Sequence, residues 1–293
     1  MSSNQESRFA EVNGQRLHYV TAGSGKLMLF VHGFPEFWYE WHNQLGEFGK
    51  DYQAVAYDTR GYNLSSKPTD AADYRAKFLI EDMRALIEHL GHQKCILVAH
   101  DWGGAAAWTF AAKYPEYVEK LVIINAPHTA TFARELTNNP AQQAASQYML
   151  FFRMEKSERV LMENNYARLV AMLQNETRDD SWLTDAVKAK YIEAWSQPGA
   201  VAGGLNYYRC SPLYPPTAED PGASAVDIDP QRLMVHVPTL VIWGEADGAL
   251  LSSLLDGLEQ YVSDLTVKRI PNGSHWVIHE QPDLVNEYIR AFI

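Results

Sequence analysis

Apolar positions along this chain fall into three patterns, and each predicts a different kind of element. Near the start, Phe9 to Val12 and Arg16 to Val20 alternate around Asn13-Gly14, which predicts two strands joined by a tight hairpin turn. Short continuous runs come next: Leu27-Met28-Leu29-Phe30-Val31, Gln53 to Tyr57, Cys95-Ile96-Leu97-Val98, Leu121-Val122-Ile123-Ile124 and Thr239-Leu240-Val241-Ile242-Trp243. Runs without alternation suit strands covered on both faces, as in a parallel sheet. Between the second and third runs, Phe78, Asp82 and Leu86, with Leu79, Met83 and Leu90, recur at helical spacing. Strand, helix, strand in this rhythm predicts an α/β fold with a doubly wound, mostly parallel sheet, whose active groups lie at the carboxyl ends of the strands.

From residue 127 to 235 the rhythm stops. Helical segments rich in aromatic and Met residues replace it, then a Pro-rich loop from Ser211 to Pro221. This composition predicts a helical cap inserted into a core made of residues 1–126 and 236–293. After the Trp243 run the pattern predicts a helix from Leu251 to Tyr261, a short strand from Leu265 to Ile270 and a closing helix from Pro282 to Ile293. The stretch Ala22-Gly23-Ser24-Gly25-Lys26 has the wrong glycine spacing for a phosphate loop and precedes a strand where a helix is needed, so it reads as a turn.

Charge and cysteine content narrow the partners. The balance of 25 Lys+Arg against 36 Asp+Glu, a net −11 over 293 residues, argues against nucleic acid or an anionic membrane and for a neutral or apolar small molecule. Met1 to Arg8 hold no apolar run, and no stretch approaches the ~18 apolar residues of a membrane span. Cys95 and Cys210 lack disulfide or metal-ligand spacing, and a reducing cytoplasm is the expected compartment.

The chemistry concentrates in Ala99-His100-Asp101-Trp102-Gly103. A buried strand runs into small-x-Asp-x-Gly and then into an Ala-rich helix that stops before Pro115, which is the context of a nucleophile elbow. A carboxylate nucleophile suits attack on saturated carbon, because the resulting ester keeps a carbonyl that water can hydrolyse, whereas an alkylated serine would be an inert ether. In the chain order nucleophile, acid, histidine, Asp247 follows the Trp243 strand and His275 follows the last strand; Glu245 is the competing acid. The N–H groups of Phe34, in His32-Gly33-Phe34-Pro35, and of Trp102 are candidates for an oxyanion hole. His100 should point away from the nucleophile by strand alternation, and His32 should hold its loop by hydrogen bonds.

Together, His32-Gly33-Phe34-Pro35-Glu36 with Trp38 and Trp41, Asp58-Thr59-Arg60-Gly61-Tyr62, His100-Asp101-Trp102-Gly103-Gly104 and the Asp247 and His275 loops resemble the epoxide hydrolases of the α/β-hydrolase fold over nearly the whole chain. The resemblance implies a two-step hydrolysis of a small apolar epoxide to a diol, with no metal or organic cofactor, by a monomer or homodimer. It also implies two cap tyrosines that hold the epoxide oxygen, matched by Tyr148 and Tyr208. Helical spacing agrees: after Asn139-Pro140, Ala141, Ala145, Tyr148 and Phe152 share one face, as do Val201, Leu205 and Tyr208, whereas Tyr207 lies about 100° away. Trp38, Trp102, Phe151 and Tyr207 suggest an apolar pocket. Two positions depart from the family pattern, Asn63 and Ser274, each standing where glycine is usual. Haloalkane and haloacid dehalogenases use the same aspartate and are the rival reading, as is a non-catalytic ligand-binding protein on this scaffold.

Overall fold

The structure, a computed structural model, describes residues 5–293. Eight strands form one sheet: β1 (Gln5–Val12), β2 (Gln15–Ala22), β3 (Leu27–Val31), β4 (Gln53–Tyr57), β5 (Cys95–His100), β6 (Val118–Ile124), β7 (Thr239–Gly244) and β8 (Leu265–Ile270), in the order β1-β2-β4-β3-β5-β6-β7-β8. The pairs β1/β2 and β2/β4 are antiparallel and all others parallel. The hairpin turns on Asn13 and Gly14, both at positive φ as its tight turn requires. The continuous apolar runs are the inner strands: every residue of β3, β5 and β7 is buried.

Helices α1 (His42–Phe48), α2 (Ala76–His89) and α3 (Asp101–Lys113) connect the first parallel strands. The apolar face of α2 is buried as its spacing predicts; Asp82, on that face, is held by Arg60 through two bonds of 2.6 Å. Strand order reverses at β3, with β4 on one side and β5 on the other. In an open sheet this reversal leaves a crevice at the carboxyl ends, here those of β3 and β5.

Between β6 and β7 the chain adds no strand. It forms six helices: α4 (Thr129–Asn138), α5 (Pro140–Ala145), α6 (Gln147–Arg153), α7 (Ser157–Asn175), α8 (Asp185–Trp195) and α9 (Ala200–Cys210). Inside α7 the backbone leaves helical geometry from Glu163 to Tyr166, and Asn164, Asn165 and Tyr166 are left-handed. The face read as continuous from Ala141 to Phe152 is broken at Ser146, whose ψ of 5° separates α5 from α6. Tyr148 and Phe152 still pack together within α6.

Helix α9 reaches the core because two glycines let it. A Cβ at Gly203 would sit 2.3 Å from the Gly61 oxygen, and one at Gly204 would sit 2.9 Å from the Phe34 ring. Backbone therefore lies on backbone, and Tyr208, one turn later on α9, is carried over the crevice.

Past β7, the helix expected from Leu251 to Tyr261 is instead two 3-10 turns, Ser252–Leu255 and Leu258–Gln260. Gly257, at φ +75°, parts them. Helices α10 (Val277–Glu280) and α11 (Pro282–Phe292) close the fold. Among the described residues no helix is long and apolar enough to cross a membrane.

Candidate active site

Asp101 opens α3 at φ +48°, a left-handed conformation that costs an L-residue about 1–2 kcal/mol. The surroundings enforce it. A Cβ at Gly103 would lie 2.3 Å from the Val31 oxygen, and one at Gly104 would lie 2.3 Å from the Ala126 Cβ, so only small residues let the chain reverse between β5 and its neighbours. Gly33 is required too, since a Cβ there would lie 2.2 Å from Asp101 Oδ1. The Phe34 N–H donates to that oxygen at 2.7 Å. Burial pushes the Asp101 carboxyl above the usual carboxylate range, against the pull of His275 and of the Phe34 and Trp102 N–H groups.

His275 sits between two carboxylates. Its Nδ1 lies 2.7 Å from Asp247 Oδ2, and its Nε2 lies 3.7 Å from Asp101 Oδ2. Burial alone would lower its pKa, but the charges of Asp247, Asp101 and Glu176 outweigh it and raise the value to about 9. Asp247 is fixed from four directions: Oδ1 accepts the N–H groups of Ala249 and Leu250, each at 2.8 Å, and Oδ2 accepts Asn125 Nδ2 at 2.8 Å beside His275. Glu245, the competing acid, instead pairs with Arg269 at 3.0 Å.

Two lobes of a cavity, about 70 Å³ and 170 Å³, share Asp101, Tyr148 and Tyr208 in their walls. Burial holds both phenols well above the ordinary tyrosine range, so both keep their protons and can donate hydrogen bonds at neutral pH.

Residues 26–282 match the α/β-hydrolase-fold family. The chain belongs to that family. It is 37% identical to epoxide hydrolase 4 of Mus musculus, covering 96% of this chain and 77% of the relative. It is 38% identical to epoxide hydrolase 1 of Caenorhabditis elegans, covering 98% and 70% respectively. A crystal structure of Bacillus megaterium epoxide hydrolase with an inhibitor superposes with a TM-score of 0.90 at 39% identity, over 97% of this chain and 99% of that one.

In this α/β-hydrolase-fold chain the elbow, the Asp247 and His275 loops, the Phe34 loop and the two tyrosines converge, while three aromatic residues expected in the pocket do not. Trp38 is buried in the loop after β3, where its N–H donates to Asp58 Oδ1 at 2.9 Å, and it lines neither lobe. Phe151 is half-buried outside both lobes; its neighbour Phe152, one helical step round α6, lines the larger. Tyr207 faces the other way from Tyr208, and its hydroxyl donates to the Arg60 oxygen at 2.9 Å. Trp102 does line the smaller lobe.

Sequence reasoning missed Asn125, whose amide bridges β6 to Asp247, and the wall residues Met172, Glu176 and Trp276. His32 and His100, both buried, are held by hydrogen bonds to their surroundings. His32 Nε2 accepts the Thr59 N–H at 3.0 Å and its Nδ1 donates to the Gly33 oxygen at 2.8 Å. His100 turns into the core, with Nε2 3.0 Å from the His275 carbonyl and Nδ1 2.5 Å from Glu40. Burial favours the neutral form of both Glu40 and His100. The two departures from glycine are accommodated: Asn63 takes φ +38° while its amide donates to Asp58 at 2.8 Å, and the Ser274 hydroxyl donates to Glu280 at 2.7 Å.

Proposed function

We propose that this chain hydrolyses epoxides to vicinal diols through a covalent ester on Asp101, beneath a cap formed by residues 127–235. The observation that carries the reading is the asymmetry of the Asp101 carboxylate: Oδ1 is bound by the Phe34 N–H at 2.7 Å, and Oδ2 is 3.7 Å from His275 Nε2 in a cavity that two phenols also line. Oδ2 is then the attacking oxygen, and Oδ1 becomes the ester carbonyl, already in its oxyanion site.

In the first step Oδ2 attacks one epoxide carbon, the C–O bond breaks, and its electron pair moves to oxygen under hydrogen bonds from Tyr148 and Tyr208. The proton that neutralises this oxygen comes from the His275 imidazolium across the shared cavity. That transfer leaves His275 neutral, and esterification has removed one of the charges that raised its pKa. In the second step His275 Nε2 takes a proton from water, which attacks the Asp101 carbonyl carbon. The oxyanion forms on Oδ1 against the Phe34 and Trp102 N–H groups. Collapse breaks the bond from the carbonyl carbon to Oδ2, His275 returns the proton to the leaving alkoxide, and the Asp101 acid so formed gives its remaining proton to His275, restoring carboxylate and imidazolium.

A panel of styrene oxide, aliphatic epoxides, haloalkanes and fluoroacetate, read out as diol, halide or glycolate, tests the reading. Diol from the epoxides without halide release is expected. Halide release exceeding diol formation would put the dehalogenase reading first.

A further inference from the structure

The larger lobe of the cavity carries two charged groups that the smaller lacks, His275 of the site itself and Glu176. The smaller is walled by Pro127, Phe132, Met149, Leu213 and Leu250, with Thr129 and Ser211 its other polar contributions away from the shared residues. The larger is walled by Phe152, Met172, Ala249 and Trp276, and also by Glu176. Among the described residues neither lobe is lined by a lysine or arginine.

Glu176 is placed where its own helix gives no reason for a carboxylate. It is the C-cap of α7, and the end of a helix that carries exposed carbonyls disfavours negative charge. Among the described residues its carboxylate has no hydrogen-bond or ion-pair partner. Gly248, beside Asp247, leaves room for it, since a Cβ there would lie 2.8 Å from Glu176 Oε2. An unpaired carboxylate thus stands in the wall of an otherwise apolar lobe that opens onto Asp101 and His275.

We propose that Glu176 makes the larger lobe a subsite for a cationic substituent, so that this enzyme prefers epoxides carrying an ammonium group and disfavours those carrying a carboxylate. The inference rests on the epoxide hydrolase reading and assigns its substrate class. An ammonium in the lobe pairs with Glu176 and faces the Asp101 carboxylate along the approach. A carboxylate meets two like charges, and the one cation in the wall, His275, is already bonded to Asp247 and faces Asp101; the carboxylate must also shed water against aromatic walls. Glu176 is exposed, so the pairing is screened by solvent, and salt weakens it.

The test uses three epoxides with the same ring and spacer, ending in a primary ammonium, a carboxamide or a carboxylate, and compares kcat/KM at low and high salt. The parent enzyme should rank them in that order. Glu176→Gln should cut the ammonium-to-carboxylate ratio about tenfold, the size of one partly screened charge contact, and Glu176→Lys should invert it. Glu193→Gln, an exposed carboxylate on α8, should keep the parental ratio. A parental ratio retained in both Glu176 variants overturns the inference while leaving the epoxide reading intact. No diol from the neutral carboxamide substrate would instead overturn the epoxide reading.

Discussion

Asp247→Asn changes one atom, and the hydrogen bonds around that atom dictate the consequence. The new amide can be seated in two ways. With its NH2 towards Ala249 and Leu250, one part-buried and one buried N–H group now bonded at 2.8 Å each lose their acceptor, at about 1–3 kcal/mol for the buried one and less for the other. With its oxygen there, the NH2 faces the Asn125 amide nitrogen, itself a donor at 2.8 Å, and His275 Nδ1 at 2.7 Å. Asn125 cannot rotate to help, because its oxygen holds the Gly244 N–H at 2.8 Å. The second seating sacrifices one bond where the first sacrifices two, so it prevails. His275 Nδ1 must then accept, its proton moves to Nε2, and the atom that should deprotonate water no longer can. A histidine held in the wrong tautomer costs about 10⁴ in rate, equivalent to about 5.4 kcal/mol of barrier. Ester formation also slows, because an accepting Nδ1 disfavours the imidazolium that supplies its proton, but the two phenols still bind the alkoxide; ester hydrolysis falls by the full factor, so alkylated enzyme accumulates. Rapid quenching with intact-mass detection measures both steps, and a thermal midpoint confirms the fold. Hydrolysis within tenfold of the parent would refute the assignment of Asp247, and Glu245→Gln, at the Arg269 pair, should behave as parent.

The phenols and the pH profile give further checks. Tyr148→Phe or Tyr208→Phe should slow ester formation by up to about 10² to 10³, the cost of one donor to a developing oxyanion, and the double variant should nearly abolish it; parental alkylation by the double variant would remove the tyrosines from the mechanism. Tyr207→Phe should leave ester formation unchanged and lower stability by about 1 kcal/mol through the lost bond to Arg60, read from the denaturation midpoint. Ester formation needs Asp101 ionised and His275 protonated, so its single-turnover rate should rise as pH passes the raised Asp101 pKa and fall as pH passes about 9. Ester hydrolysis needs neutral His275 with the Asp101 charge gone, so it should rise with pH to a midpoint below 9; a midpoint above that value would contradict the proton path.

Much of the scaffold was legible because it rests on local patterns. Asn13-Gly14 sets a hairpin by backbone geometry alone, and the runs ending at Val31, Val98 and Ile124 are buried on both faces whatever packs on them. The elbow was legible for the same reason, since strand, small residue, Asp and Gly are contiguous. Pocket walls were not, because a wall depends on rotation about a helix. One residue separates Phe151 from Phe152 and Tyr207 from Tyr208, and each step of about 100° decides between the cavity and the packing behind it. The break at Ser146 shows how one irregular ψ resets that phase. Contacts between distant segments were invisible for another reason. Nothing near Asn125 announces Asp247, nothing near Gly203 announces Gly61, and nothing near Glu176 announces the cavity it faces.

The covalent ester on Asp101 is tested most directly by one turnover in oxygen-18 water with enzyme in excess. Water attacks the ester carbonyl carbon and the alkyl group departs with Oδ2, so the first diol should carry no solvent label and Asp101 should gain it, located by peptide mass measurement. Solvent label in the first diol, with none on Asp101, would mean that water attacks the epoxide itself and that Asp101 acts as a base.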